Sequence, residues 1–170
     1  QKFQALGYQA GVDLWAFPYD WRKAIPESSH NLAALVDQIR QQTGSTQVYL
    51  VAHSMGGLVA RHYIADSNQA TKVKGLVLIG TPILGAPKTV ASLQGLICTM
   101  DMDLVGYCLP RKEVVTDLIR NFPAFYALMP TTGYFQFYRG FYSADNQNLD
   151  ASQIYTNTLL GPNFQPALYT

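Results

Sequence analysis

One stretch, QVYLVAHSMGG at residues 47–57, constrains the fold more than any other part of the chain. Residues 48–52 are a short apolar run of the kind that makes a buried strand. The chain then turns through His53, Ser54 and Met55, and Gly56 and Gly57 open a segment, 58–66, with helical spacing. A strand, a tight turn with a serine at its apex, and a helix is the layout of a nucleophile elbow. The residue types follow from the chemistry. A serine hydroxyl is a weak nucleophile that has to meet a base and a substrate together, and a strained turn lifts its oxygen clear of the sheet edge. Such a turn needs small residues two before and two after the serine. Ala52 and Gly56 stand there, with alanine replacing the first glycine of G-x-S-x-G. The helix beginning after Ser54 aims unpaired backbone N–H groups at the turn. Ser54 is therefore the candidate nucleophile, and the N–H of Met55 the candidate donor to an oxyanion. The competing reading is an ordinary strand-to-helix turn.

This stretch sits in an alternating pattern. Residues 2–6 read as the end of a helix stopped by Gly7, and residues 12–17 as a strand closed by Pro18. Ser28 or Ser29 is placed to cap a helix whose apolar stripe is Leu32, Leu35, Val36 and Ile39, and Gly44 ends it. Residues 73–79 form a further strand, continuously apolar at Leu76, Val77, Leu78 and Ile79. Such runs suit parallel strands buried on both faces. Strands and helices alternating through short loops predict an α/β domain, a parallel sheet with helices on both faces.

After residue 88 the alternation stops. The loop GTPILGAP at 80–87 is uncharged and leaves its strand at the same sheet edge as Ser54. Residues 90–110 read as irregular, and Val114, Val115, Leu118 and Ile119 mark an amphipathic helix. Residues 121–130 are a shorter apolar segment between prolines, residues 134–142 hold six aromatics, and Asp150 is placed to cap a last helix reaching about residue 160. The expected division is a core, residues 1–88, and a second part, residues 89–170, that reads as a lid or as a satellite core.

Composition excludes several classes. A net charge of +1 with 14% charged residues gives no electrostatic footprint for nucleic acid. No uncharged apolar stretch reaches the roughly 18 residues of a membrane-spanning helix. Cys98 and Cys108 lie near Asp101, Met102 and Asp103 at no metal-ligand spacing, and no histidine follows. The two cysteines are either bonded to each other, which implies an oxidising compartment, or are two buried thiols.

A serine nucleophile needs a histidine base held by an acid. His53 adjoins Ser54 inside the turn and cannot fold back onto it. His62 lies eight residues along the next helix, roughly 12 Å away at about 1.5 Å per residue. His30 precedes Ser54 near a helix start and is a poor candidate. The cluster PYDWR at 18–22 reads as a substrate contact or, more plainly, as a structural Asp20–Arg22 pair under Trp21.

Four motifs then converge: YDWR at 19–22, AHSMG at 52–56, GTPILGAPK at 80–88 and NFPAFYALMP at 121–130. Together, and in this order, they resemble the lecithin:cholesterol acyltransferase family, which has phospholipase-like and bacterial lipase-like members. The resemblance implies an α/β-hydrolase fold, present in part, and an acyl-enzyme mechanism with Ser54 as nucleophile and Met55 supplying one oxyanion N–H. It also implies a mobile lid after Lys88. It places the triad acid and base beyond Thr170 and the second oxyanion donor before Gln1. In that fold residues 12–17, 48–52 and 73–79 correspond to the fourth, fifth and sixth strands. The third lies between the fourth and fifth, so residues 1–170 read as an excerpt whose sheet has a gap.

The resulting expectation is a serine hydrolase or acyltransferase acting on lipid acyl esters. It needs no cofactor and no metal, touches a membrane or lipid surface transiently through the lid, and is secreted or extracytoplasmic. From a different class, the alternative is a non-catalytic hydrolase-like module that binds lipid or protein.

Overall fold

The computed structural model describes residues 2–95, 103–104, 107–108, 112–138, 143–144 and 147–148. They form two compact units. The first comprises Gln1–Trp21 and Ile25–Thr81, and the second comprises Arg22–Ala24 and the described residues from Pro82 onward. The expected helix near Asp150 lies outside the described residues, as does Cys98 and with it the proposed pairing to Cys108.

In chain order the first unit contains α1 (Lys2–Ala5), α2 (Ile25–Thr43), β1 (Val48–His53), α3 (Gly56–Ala65), α4 (Ser67–Ala70) and β2 (Val73–Ile79). β1 and β2 pair in parallel, in register from Tyr49 opposite Gly75 to His53 opposite Ile79. A parallel pair joined by helices is the expected α/β arrangement. α3 packs on both strands, and α2 packs on α3. The buried seam is Leu32, Val36 and Ile39 of α2 with Val59, Ala60 and Tyr63 of α3. Side-chain ties at the helix ends hold α2 in place. Lys72 Nζ donates to both Asp37 carboxylate oxygens at 2.7 and 2.9 Å, and Arg40 Nε donates to the Thr46 carbonyl at 2.8 Å.

Three expectations need correction. Residues 12–17 do not form a strand; Ala10 and Leu14 make one isolated bridge, inside a turn closed by Gly11 N–H to Leu14 O at 2.9 Å. Apolar spacing was present there, but a strand exists only with a partner, and the described residues supply none. The start of α2 is Ile25, ahead of both Ser28 and Ser29, which are buried inside the helix. Pro26 explains this, because a first-turn proline lacks an N–H that would be unpaired there anyway. Finally, among the described residues helices cover one face of the pair and not both. Tyr49, Val51, Val77 and Ile79 are 65, 48, 51 and 50% exposed, so among the described residues one face of the pair stands open.

The second unit contains α5 (Pro87–Leu93), the short strands β3 (Asp103–Leu104) and β4 (Tyr107–Cys108), α6 (Lys112–Ile119), α7 (Pro123–Ala127), α8 (Thr132–Phe137), β5 (Ser143–Ala144) and β6 (Gln147–Asn148). β3–β4 and β5–β6 are antiparallel pairs. The described residues between 90 and 110 are thus more regular than expected. Pro87 begins α5 at a position that favours proline, and Thr89, Val90, Ser92 and Leu93 bury its inner face. The core joins Val90, Leu93, Val115, Ile119, Phe125, Tyr126 and Met129. Arg120 Nε donates to Leu93 O at 3.1 Å, and Tyr126 donates its hydroxyl proton to Arg120 O at 2.7 Å.

A clasp joins residues 84–86 to residues 128–131. Ala86 N–H donates to Leu128 O at 2.8 Å, while Leu84 O accepts from both the N–H of Thr131 at 2.9 Å and its hydroxyl at 3.2 Å. The approach leaves no room for a side chain between them. A Cβ on Gly85, whose φ is +95°, would overlap the Met129 carbonyl oxygen and lie 2.6 Å from its carbon.

Candidate active site

At the end of β1 the ladder gains one more rung. Ser54 N–H donates to Ile79 O at 2.9 Å, which anchors the serine to the end of β2. The chain then reverses. Ser54 has φ +53° and, among the described residues, is the one non-glycine residue at positive φ. For an L-residue the left-handed region costs roughly 1–2 kcal/mol. Its payment elsewhere is visible in the hydrogen bonds that fix both sides of the turn: Gly57 N–H donates to Ser54 O at 3.0 Å and Leu58 N–H to Met55 O at 2.9 Å. Ser54 is exposed and Met55 is buried, so the turn presents the serine outward while the methionine side chain anchors it.

The N-terminal end of α3 has no side-chain cap and no acidic residue in its first turn. Among the described residues the N–H groups of Met55 and Gly56 donate to nothing. Two adjacent unpaired N–H groups at the positive end of a helix favour a negatively charged oxygen. They stand beside the serine that would generate one.

Gly56 and Gly57 are there for space. A Cβ on Gly57 would overlap Thr81 Oγ1 and lie 2.6 and 2.7 Å from Thr81 Cγ2 and Cβ. Thr81 therefore packs directly on the first turn of α3, with its hydroxyl buried and unpartnered among the described residues. At Gly56 the nearest group is the Tyr19 phenol oxygen, 3.6 Å from the Cβ position. Tyr19 stacks on Phe17 with ring centroids 5.6 Å apart and planes 14° from parallel. Burial pushes its phenol above the ordinary value.

Of the YDWR cluster it is thus Tyr19 that borders the serine turn, whereas Trp21 remains half exposed. The sequence reading held Tyr19 only as one member of the PYDWR cluster, a substrate contact or a structural element, and it gave Thr81 no role. The signal was the double glycine after Ser54, which marks close approach on two flanks but does not say what approaches. The histidines behave as expected: His30, His53 and His62 are all exposed, and none is hydrogen-bonded to Ser54. No cluster of three His, Cys, Asp or Glu side chains suited to a metal occurs among the described residues.

Comparison with known proteins finds relatives of part of the chain. The bovine (Bos taurus) lysosomal phospholipase A and acyltransferase is 36% identical over 92 residues, 51% of this chain and 23% of that protein. Chicken (Gallus gallus) phosphatidylcholine-sterol acyltransferase is 33% identical over 88 residues, 48% of this chain and 21% of its own length. Lecithin-cholesterol acyltransferase-like 4 of Arabidopsis thaliana is 26% identical over 90 residues, 51% of this chain and 17% of its own. The matched stretch thus spans less than a quarter of each of these relatives. A match to the family described as Lecithin:cholesterol acyltransferase runs over residues 1–168, nearly the whole chain, and the chain belongs to that family.

Proposed function

We propose that this chain carries the nucleophile of a serine hydrolase or acyltransferase that acts on lipid acyl esters, within an α/β-hydrolase fold. The observation that carries the reading is Ser54 at φ +53°, exposed between a parallel strand and a helix whose first N–H groups are unpaired. That geometry supports the reading of a nucleophile elbow. Ser54 Oγ attacks the ester carbonyl carbon, the serine proton passes to a base, and the carbonyl electron pair moves onto oxygen. The oxyanion is held by the N–H of Met55. Collapse breaks the ester C–O bond, the departing alcohol takes the proton, and the acyl group remains on Ser54. Water or a second alcohol then reverses these steps. The base is a histidine oriented by a carboxylate, both contributed by residues outside 1–170, because none of the three histidines here engages Ser54. Acyl transfer of this type runs on side-chain acid–base chemistry and calls for no cofactor.

The lipid substrate is supported by the activities for which the relatives are named, phospholipase A and sterol acyltransferase. Residues 89–170 are the lid or cap of the same enzyme. Within the described part, Val114, Leu118, Phe137 and Tyr138 are 51, 53, 74 and 46% exposed, an apolar surface suited to transient contact with lipid. Among the described residues no helix is long and apolar enough to cross a membrane. An extracytoplasmic location accords with the lysosomal relative. The test is fluorophosphonate labelling of the full-length protein, with the adduct mapped to Ser54 and esterase activity abolished in Ser54→Ala. An adduct on another serine, or full activity in Ser54→Ala, overturns the proposal. No adduct at all points instead to a non-catalytic binding module.

A further inference from the structure

The first turn of α3 has two flanks, and they differ. The Gly57 flank is closed by Thr81. The Gly56 flank opens toward a phenol oxygen that makes no hydrogen bond among the described residues and is not sealed from solvent. Cα–Cβ bonds in a helix tilt toward its N-terminus. The empty Cβ position of Gly56 therefore lies on the Ser54 side of the turn, and the Tyr19 oxygen, 3.6 Å from it, borders that end. We propose that Tyr19 is a substrate-contacting residue, its O–H donating to the ester carbonyl oxygen as that oxygen becomes an oxyanion at the N–H of Met55.

The proposal rests on the Ser54 reading and adds a side-chain donor to the backbone one. Three properties of Tyr19 suit the role. The ring is fixed by its stack on Phe17, so the donor needs no reorganisation as charge develops. The phenol has no competing acceptor to give up. Burial raises its pKa, which keeps the proton on the oxygen at neutral and mildly alkaline pH. A purely structural tyrosine would explain the stacking on Phe17, but it would give no function to a hydroxyl held 3.6 Å from the Gly56 Cβ position beside the serine turn.

The test uses Tyr19→Phe in the full-length protein, with a soluble acyl ester as substrate and an alkylboronic acid as mimic of the tetrahedral intermediate. Loss of one oxyanion donor costs on the order of 100- to 1000-fold in kcat. For a phenol sharing the oxyanion with a backbone N–H, the expected loss in kcat/KM is about 10- to 100-fold, carried by kcat, with boronate affinity falling by a similar factor. As a second measurement, a ring-fluorinated tyrosine at position 19 keeps the shape and lowers the phenol pKa. Activity should then be lost at a lower pH than in the wild type. Unchanged kcat/KM and boronate affinity in Tyr19→Phe overturn the proposal, as does a loss of activity without a loss of boronate affinity. If Tyr19→Phe fails to fold, an unshifted pH profile in the fluorinated protein overturns it. Ser54→Ala is measured alongside. Retained activity there defeats the underlying mechanism, whereas an inactive Ser54→Ala beside an unaffected Tyr19→Phe defeats only the role of Tyr19.

Discussion

Gly57→Ala isolates the packing that holds the serine turn in place. Gly57 has no left-handed φ to protect, so an alanine there gains up to about 1 kcal/mol of helix propensity. Against this, its methyl would overlap Thr81 Oγ1 and lie 2.6 Å from Cγ2 and 2.7 Å from Cβ, so all three outer atoms of the threonine must move. Overpacking costs roughly 1–3 kcal/mol; with three atoms displaced the upper part of that range, about 2–3 kcal/mol, applies, for a net loss of about 1–2 kcal/mol. The displacement also reaches Ser54, because Gly57 N–H donates to Ser54 O at 3.0 Å. Fluorophosphonate labelling of Ser54 should slow together with the fall in stability. The cause can be read from a series of partners. Thr81→Ser keeps Oγ1 and Cβ and should rescue nothing. Thr81→Ala removes Oγ1 and Cγ2 but leaves Cβ, so it should rescue in part, and Thr81→Gly should rescue most. Urea denaturation of each single and double variant gives the coupling energy, expected at about 1 kcal/mol or more between touching residues. A Gly57→Ala protein within about 0.5 kcal/mol of wild type refutes the steric account, as does an equal loss in the Thr81→Gly background.

Ser54→Gly should be more stable than Ser54→Ala by about 0.5–1 kcal/mol, because glycine occupies φ +53° without the left-handed penalty. Equal thermal midpoints would show that the turn stores no strain. At Asp37, hydrogen bonding from Lys72 holds the carboxyl below its ordinary value of 3.8. A depressed carboxyl contributes stability that is present above its unfolded pKa and lost as pH falls through the folded value. The pair is 43% exposed on the aspartate side, so solvent screening limits the effect to less than about 1 kcal/mol. Asp37→Asn should therefore trail wild type at pH 6, and the gap should close once the pH falls below both the unfolded and the depressed folded carboxyl pKa. A gap that persists in acid means the asparagine acts by some other route.

What the sequence made legible was local or enforced by topology. The runs at β1 and β2 are apolar enough to be strands, and the helix between them requires a parallel pairing, which the register of Tyr49 opposite Gly75 through His53 opposite Ile79 bears out. The α2 stripe and the Gly44 stop were read from spacing, and both are present. The rest depended on partners. Residues 12–17 alternate like a strand, but no pattern within six residues says whether a neighbouring strand exists to accept them. The apolar face of Tyr49, Val51, Val77 and Ile79 was expected under helices for the same reason: the run shows that the face is apolar, not what lies on it. At the serine turn the unusual backbone was predictable from its residue types. Thr81 and Tyr19, which arrive from opposite directions in the chain, were not. The ends of adjacent parallel strands bring Thr81 to Gly57, and an irregular segment brings Tyr19 to Gly56.

The clasp between residues 84–86 and 128–131 works as a stapled frame. Its ends lie 47 residues apart in sequence at Leu84 and Thr131, yet they are held by three hydrogen bonds and one missing side chain. The entropy of closing such a loop grows only with the logarithm of its length, about 0.6 kcal/mol per doubling. That term leaves the span between the two ends free in length, but not in composition, because Val90, Leu93, Val115, Ile119, Phe125 and Tyr126 within it supply the core of the unit. Gly85 is the opposite kind of position: even one added methyl would drive against the Met129 carbonyl and force the frame apart. Exchanges that keep the buried apolar positions of the span and leave Gly85 alone are accordingly the ones that preserve the closed frame.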